Sequence, residues 1–166
     1  MEGQTVSNVL AALACALGWS VWSVLVGWLA HLLPQAALSG DTWLTRRPWP
    51  ETKQLYQQRL GIQHWKSFLP DAGNALPGGV LKNSLVSRDA ATLHRLVEET
   101  RRAELVHLAI WPFWIATALW LPPAGVLINL IFATLFNLPC LWLQRYNRLR
   151  LQPLLLTMHG RYSSDC

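Results

Sequence analysis

The chain has 166 residues, enough for one domain, and its composition is that of a membrane protein: 52% hydrophobic, ten tryptophans, and 14% charged residues where soluble domains carry ~25%. The net charge of +5 is spread among apolar and proline-rich sequence, which excludes a nucleic-acid-binding stripe and suits anionic lipid headgroups. Cys15, Cys140 and Cys166 form no CxxC pair and two fall in apolar runs, so they read as small buried residues rather than a disulfide framework.

Residues 5–33 carry no charge before His31 and end at Pro34. At about 1.5 Å per residue this stretch crosses a ~30 Å hydrocarbon layer with length to spare. A secretory signal peptide is the competing reading, but residues 1–4 hold no positive charge and the apolar run exceeds an h-region. A retained transmembrane helix is expected, with Ser20 and Ser23 bonding back to their own helix or to a neighbour and Trp28 as an interface anchor.

From 35 to 86 the character changes. Pro34, Pro48, Pro50, Pro70 and Pro77, with Gly61, Gly73, Gly78 and Gly79, divide the chain into short pieces. Only residues 50–60 keep helical periodicity, with Leu55, Tyr56 and Leu60 on one side. Trp43, Trp49, Trp65, Phe68 and Leu81 make the segment too apolar for a disordered linker, and a cap lying in the headgroup layer is expected. Within it, His64, Trp65 and Lys66 precede a turn at Leu69, Pro70 and Asp71, and Gly78, Gly79 and Lys82 are able to approach an anionic group. A solvated surface loop is the alternative for each.

Ser87 is a good N-cap, and Asp89 suits the first turn of a cytoplasmic helix over 88–103. No breaker separates it from the second span, 104–121, in which Pro112 allows a kink whose freed carbonyl water or a neighbouring helix satisfies. Pro122, Pro123, Ala124 and Gly125 make a charge-free turn, and 124–143 return as a third span holding Asn129, Asn137, a second kink at Pro139 and Trp142 as an anchor. Residues 144–166 form a cytoplasmic tail. The expected fold is all-α and integral to the membrane: one domain over 1–166, about three transmembrane helices and an interfacial cap. All fourteen Lys and Arg then lie on one side, which sets a multi-pass protein of the cell inner (plasma) membrane with its N-terminus out and its C-terminus cytoplasmic. No internal repeat is present.

Glu104 and His107 lie three apart and share a helix face with Leu93, Leu96, Val97, Thr100 and Trp111. On the third span Asn137, Gln144 and Arg148 are spaced by seven and four, again one face, and the antiparallel arrangement brings both polar sets to the cytoplasmic interface. Ionisable groups there are costly and point to function. Glu104-x-x-His107 is half of a di-metal pattern whose second Glu-x-x-His pair the chain lacks; His64 or His94 would complete a single site, but on these ligand counts no metal is expected. Nucleotide fingerprints and nucleophile elbows are absent. What remains is acid–base chemistry: Glu104 orients His107, which deprotonates a hydroxyl attacking an activated acyl group, while Arg102, Lys66, Lys82 or Arg148 holds an anionic part of the donor. The structural reading stands beside it, with Glu104 pairing to Arg101 or Arg148 to seal a helix junction, and Arg145 and Arg150 as plain anchors.

The run Glu99-Thr100-Arg101-Arg102-Ala103-Glu104-Leu105-Val106-His107, then Asn137-x-Pro139 and Gln144-Arg145-Tyr146-Asn147-Arg148-x-Arg150-Leu151, resembles the glycosyl-4,4'-diaponeurosporenoate acyltransferase family. Trp65-Lys66, Leu69-Pro70-Asp71 and Gly78-Gly79 are similar too, and the likeness covers most of 60–152. It departs at Leu108, where Trp is frequent, and at Leu149, where Pro is. The resemblance implies esterification of a sugar hydroxyl of a carotenoid glycoside with a fatty acyl chain, as in the last step of staphyloxanthin-type synthesis. The expected catalytic residues are His107 and Glu104. Lys66, Asp71, Arg102, Asn137, Gln144, Arg145, Asn147 and Arg148 are expected to bind substrate. No cofactor is expected beyond an acyl donor such as acyl-CoA or acyl-carrier protein. The partners are membrane lipids and a lipid or glycolipid substrate, with no nucleic acid, and a homo-oligomer is compatible with so small an enclosed volume. A different membrane lipid enzyme (lyase, isomerase or reductase) and a non-enzymatic lipid-binding subunit stay open as alternatives.

Overall fold

The computed structural model describes residues 2–46, 51–69 and 90–164, and the side chains of 7–46, 51–69 and 90–158. The described residues contain no strand. The described residues form five α-helices: α1 Glu2–His31, α2 Ile62–Trp65, α3 Ala90–Ile110, α4 Phe113–Ala116 and α5 Pro123–Ser164. Asp71, Gly73, Gly78, Gly79, Lys82 and the N-cap expected at Ser87 lie outside the described residues.

Two helices are long and apolar enough to cross a membrane. Ser7–His31 has a mean hydropathy of 2.1 and Pro123–Met158 of 2.0, yet only 6% and 11% of their most apolar windows are buried. A core helix of a soluble protein hides such a surface. Here Leu10, Leu13, Leu17, Val21 and Val24 stand exposed along α1, so lipid is the medium that suits them.

The second span differs from the expectation. Helix α3 stops at Ile110 instead of running to 121, and a turn at Trp111 and Pro112 leads into the four-residue α4, a 3-10 turn Thr117–Leu119 and then α5. Proline has no N–H to continue the ladder and its ring clashes with the preceding turn, so a break replaces the expected kink. The third span is also longer than expected. Pro139 and Pro153 do not stop α5, and the 144–166 tail continues as helix through Ser164.

The chain divides into two compact units. The first holds residues 1–32 and 106–139. Its packing is aromatic: Trp19 meets Phe113 edge-on at 4.9 Å and Phe132 at 5.3 Å, and Trp22 stacks on Phe113 at 5.9 Å. Gly18 makes this approach possible, since a Cβ there meets the Phe113 ring at 2.9 Å. The indole N–H of Trp22 donates to the Ala109 carbonyl at 3.1 Å, so a neighbouring helix covers a carbonyl at the Pro112 break. Trp19 donates to the buried Asn129 at 2.8 Å, and Ser20 bonds back to Ala16.

The second unit holds residues 33–105 and 140–166. Leu93, Leu96 and Val97, spaced at helical intervals, pack on Leu155 with Leu151 and Met158 beside it. A second cluster joins Tyr56 and Ile62 to Tyr146, and Trp142, expected as an interface anchor, packs against it. Tyr56 lies on a π-helical turn, Leu55–Arg59, closed by the Leu60 N–H donating to the Leu55 carbonyl at 3.3 Å. Gly61 ends that turn at φ 55°, a left-handed conformation that favours glycine.

Candidate functional site

The second unit contains an alternating chain of three arginines and three carboxylates. Glu104 and Arg101 lie three apart on α3, and Arg145 and Arg148 three apart on α5, so each pair projects from one helix face. The Glu104 carboxylate is fully buried and is shared by both α5 arginines. Arg145 Nε donates to Oε1 at 2.6 Å, and Arg148 Nη1 lies 2.7 Å from Oε2. Arg145 Nη1 also donates to Glu51 Oε1 at 2.8 Å.

Arg148, 0% exposed, donates through Nη2 to the Thr45 carbonyl at 2.6 Å and approaches Asp41 at 3.8 Å. Arg101 donates to the same Asp41 oxygen at 2.8 Å and to the carbonyls of Leu38 and Ser39. The loops before and after residue 46 are thereby tied to α3 and α5. Six charges balance to zero inside the fold, and each buried charge is tolerable only because its neighbour is present.

At one end of this chain lies Tyr56. Its buried hydroxyl faces the carboxylate of Glu51. Burial, then the negative charge of Glu51, pushes the Tyr56 phenol far above its ordinary value, so it stays protonated.

The first unit contains the other polar pair. His107 Nδ1 lies 3.0 Å from Asn137 Oδ1. The Asn137 amide nitrogen donates to the Ala133 carbonyl at 2.9 Å, one turn back on α5, which turns Oδ1 toward the imidazole. A carbonyl oxygen only accepts, so Nδ1 carries the proton, and in the neutral ring Nε2 keeps its lone pair.

Several expected residues are thus placed. Glu104, Arg145 and Arg148 meet in the second unit, and His107 and Asn137 pair in the first. Arg101, considered as a Glu104 partner, goes to Asp41 instead, and Arg145, considered a plain anchor, bridges two carboxylates. Arg102 pairs with Glu99 at 3.2 Å and caps the Leu33 carbonyl. Lys66 begins a 3-10 turn and Asn147 is half-buried on α5, neither within the charge network, while Gln144 is buried. Asp71 lies outside the described residues. Among the described residues no three His, Cys, Asp or Glu side chains gather as a metal site requires.

Sequence reasoning missed Asp41, Glu51, Thr45 and Tyr56 as members of this network. Two isolated acids flanking the tryptophan- and proline-rich 43–50 stretch were the available signal, because a carboxylate in so apolar a segment needs a cation.

The chain is similar to known proteins. Residues 40–156 match the family model described as glycosyl-4,4'-diaponeurosporenoate acyltransferase. A protein of that name from Staphylococcus haemolyticus is 31% identical over 114 residues, 68% of this chain and 65% of the relative. Two from Staphylococcus aureus strains are 31% identical over 102 residues, 60% of either chain. The match therefore spans a little under two thirds of these relatives' own length. No solved structure matches the chain. The matched span takes in Asp41, Glu51, Glu104, His107, Asn137, Arg145 and Arg148, and the protein belongs to the glycosyl-4,4'-diaponeurosporenoate acyltransferase family.

Proposed function

We propose that this protein is a multi-pass membrane acyltransferase that moves a fatty acyl chain from an activated donor, such as acyl-CoA or acyl-carrier protein, to a hydroxyl of a glycosylated lipid such as a carotenoid glycoside. The observation that carries the catalytic part is the 3.0 Å approach of His107 Nδ1 to the Asn137 amide oxygen. With Nδ1–H held by Asn137, Nε2 is the basic nitrogen. The acceptor hydroxyl oxygen bonds to the acyl carbon as Nε2 takes its proton. The donor's C–S bond then breaks, and the proton returns to the departing thiolate.

Glu104 enters this reading differently from the sequence expectation. Its two oxygens serve Arg145 and Arg148, so its proposed role is to hold those guanidinium groups in place: Arg148 as a fully buried tie, and Arg145, with 18% of its side chain open, as the one able to reach an anionic part of a substrate. Lys66, Asp71, Arg102, Gln144 and Asn147 remain proposed contacts for the donor or the sugar. The clustering of all fourteen Lys and Arg after residue 45 supports an N-terminus outside and a C-terminus in the cytoplasm, with the broken segment 106–121 as the middle crossing.

The test is transfer from palmitoyl-CoA to dodecyl glucoside by the purified chain in lipid nanodiscs, with the ester read by mass spectrometry. His107→Ala is expected to lower turnover by about 10²–10⁴-fold, the usual worth of a positioned base. Full turnover in that variant removes His107 from the chemistry. Product without any acyl donor favours a different lipid enzyme.

A further inference from the structure

The turn at 42–46, in the second unit, displays apolar side chains that the fold does not cover. Trp43 is 85% exposed and Leu44 40%, and Arg46 stands exposed beside them. A slack loop could turn such residues inward, but this one is tied down. Thr45 Oγ1 accepts from the Thr42 N–H at 2.9 Å, Thr42 Oγ1 accepts from the Thr45 N–H at 3.3 Å, and the Arg46 N–H donates to the Thr42 carbonyl at 2.7 Å. Thr45 itself is buried, and the buried Arg148 donates to its carbonyl at 2.6 Å. Arg101 holds Asp41 and the carbonyls of Leu38 and Ser39 just upstream. These bonds fix the backbone and engage neither the indole nor Leu44, so both side chains are held outward.

The chemistry of the turn selects what covers it. Two apolar side chains present far less than the ~800 Å² per partner that a stable protein interface buries, so a second copy of this chain is a poor fit. The headgroup layer of a bilayer suits all three residues. An indole has an apolar body for the acyl boundary and an N–H for the wet side, and a guanidinium next to it is drawn to anionic lipid phosphate. Lipid is also close along the chain. Trp28 and Leu29 stand exposed at the end of α1, which stops at His31, a short stretch before Trp43.

We propose that the 42–46 turn is a membrane-surface anchor, with Trp43 and Leu44 seated in the headgroup layer of the cytoplasmic leaflet and Arg46 on a lipid phosphate. Because Arg148 ties the turn to Glu104, and Glu104 holds Arg145, the anchor sets the depth of that charge network relative to the lipid surface. The assignment rests on the membrane character of the chain and not on the transfer chemistry.

The test labels the full chain with 5-fluorotryptophan, embeds it in nanodiscs of phosphatidylcholine and phosphatidylglycerol, and reads it by fluorine NMR. Trp43→Phe assigns the Trp43 resonance by its loss. Lipid spin-labelled at the headgroup is expected to broaden that resonance, while a soluble gadolinium chelate broadens it several-fold less than it broadens free 5-fluorotryptophan in the same buffer. Arg46→Gln is expected to melt like the parent and to abolish the difference in lipid broadening between nanodiscs with and without phosphatidylglycerol. A resonance untouched by the labelled lipid and broadened like the free amino acid puts Trp43 in water and overturns the anchor. Protection from both agents puts a protein surface over the indole and overturns it equally. Neither readout depends on turnover, so absent transfer activity removes the acyltransferase reading and leaves the anchor standing.

Discussion

Removing the Glu104 carboxylate tests whether the charge network holds the second unit together. In Glu104→Ala, Arg145 still has Glu51 at 2.8 Å, but Arg148 loses its closest carboxylate and keeps only the Thr45 carbonyl and an Asp41 oxygen 3.8 Å away. Its side chain is fully buried, so no water takes over. Breaking a buried pair by deleting one partner costs about 3–5 kcal/mol. For a chain of this size each kcal/mol moves Tm by ~2–4 °C, so the expected drop is roughly 6–20 °C. Thermal unfolding in lipid nanodiscs, followed by circular dichroism, reads it. The double variant Glu104→Ala/Arg148→Met removes the stranded charge with its partner, so it is expected to melt above Glu104→Ala alone, with a coupling energy of ~1 kcal/mol or more. A Glu104→Ala shift under ~2 °C, or a double variant that merely adds two losses, refutes the account.

Three further outcomes follow from the geometry. Gly18→Ala pushes a methyl to 2.9 Å from the Phe113 ring and should cost ~1–3 kcal/mol as overpacking. Gly27→Ala meets nothing within 4 Å and should be neutral or stabilising by up to ~1 kcal/mol, and melting curves of the two variants give the contrast. Trp22→Phe keeps the stacking on Phe113 but deprives the Ala109 carbonyl of its donor, with an expected loss of ~1–2 kcal/mol in denaturant titration. The Tyr56 phenol is raised from 10.0 in the folded state, so the unfolded chain ionises first and stability falls as pH climbs above 10 toward the folded value. Tyr56→Phe should shed that part of the alkaline loss, and identical alkaline profiles would contradict the burial of this phenol.

Hydrophobic length alone made α1 and the apolar part of α5 legible, because a run that long without charge has few stable alternatives. The middle segment was not, and the reason is local. Residues 104–121 have the length and composition of a span, but composition carries no information about whether Pro112 kinks a helix or ends it. That choice depends on partners. Trp22 is in place to cover the Ala109 carbonyl, and Phe113 and Trp120 turn back against α1 at Gly18, so the broken form keeps its polar groups satisfied and its rings packed. The continuation of α5 past Leu143 was equally hidden. Arg145, Arg148 and Arg150 read as the end of a span, whereas two of them face inward, to Glu104 on α3 and to Glu51 on the folded loop.

The site shows the same division between local and non-local information. Helical spacing put Glu104 and His107 on one face and singled out Asn137 and Arg148, since intervals of three, four and seven are written in the sequence. It did not say which acid belongs to which base. In the sequence Arg101 and Arg148 were both candidate partners for Glu104. The structure separates them through Asp41, sixty positions before Arg101, which takes that guanidinium together with the Leu38 and Ser39 carbonyls and leaves Glu104 to the α5 pair. Two buried arginines and the half-buried Arg145 need three carboxylates. Two of those acids come from a loop with no periodicity to read, so the demand for them was visible in the helices, while their identity depended on how the loop folds.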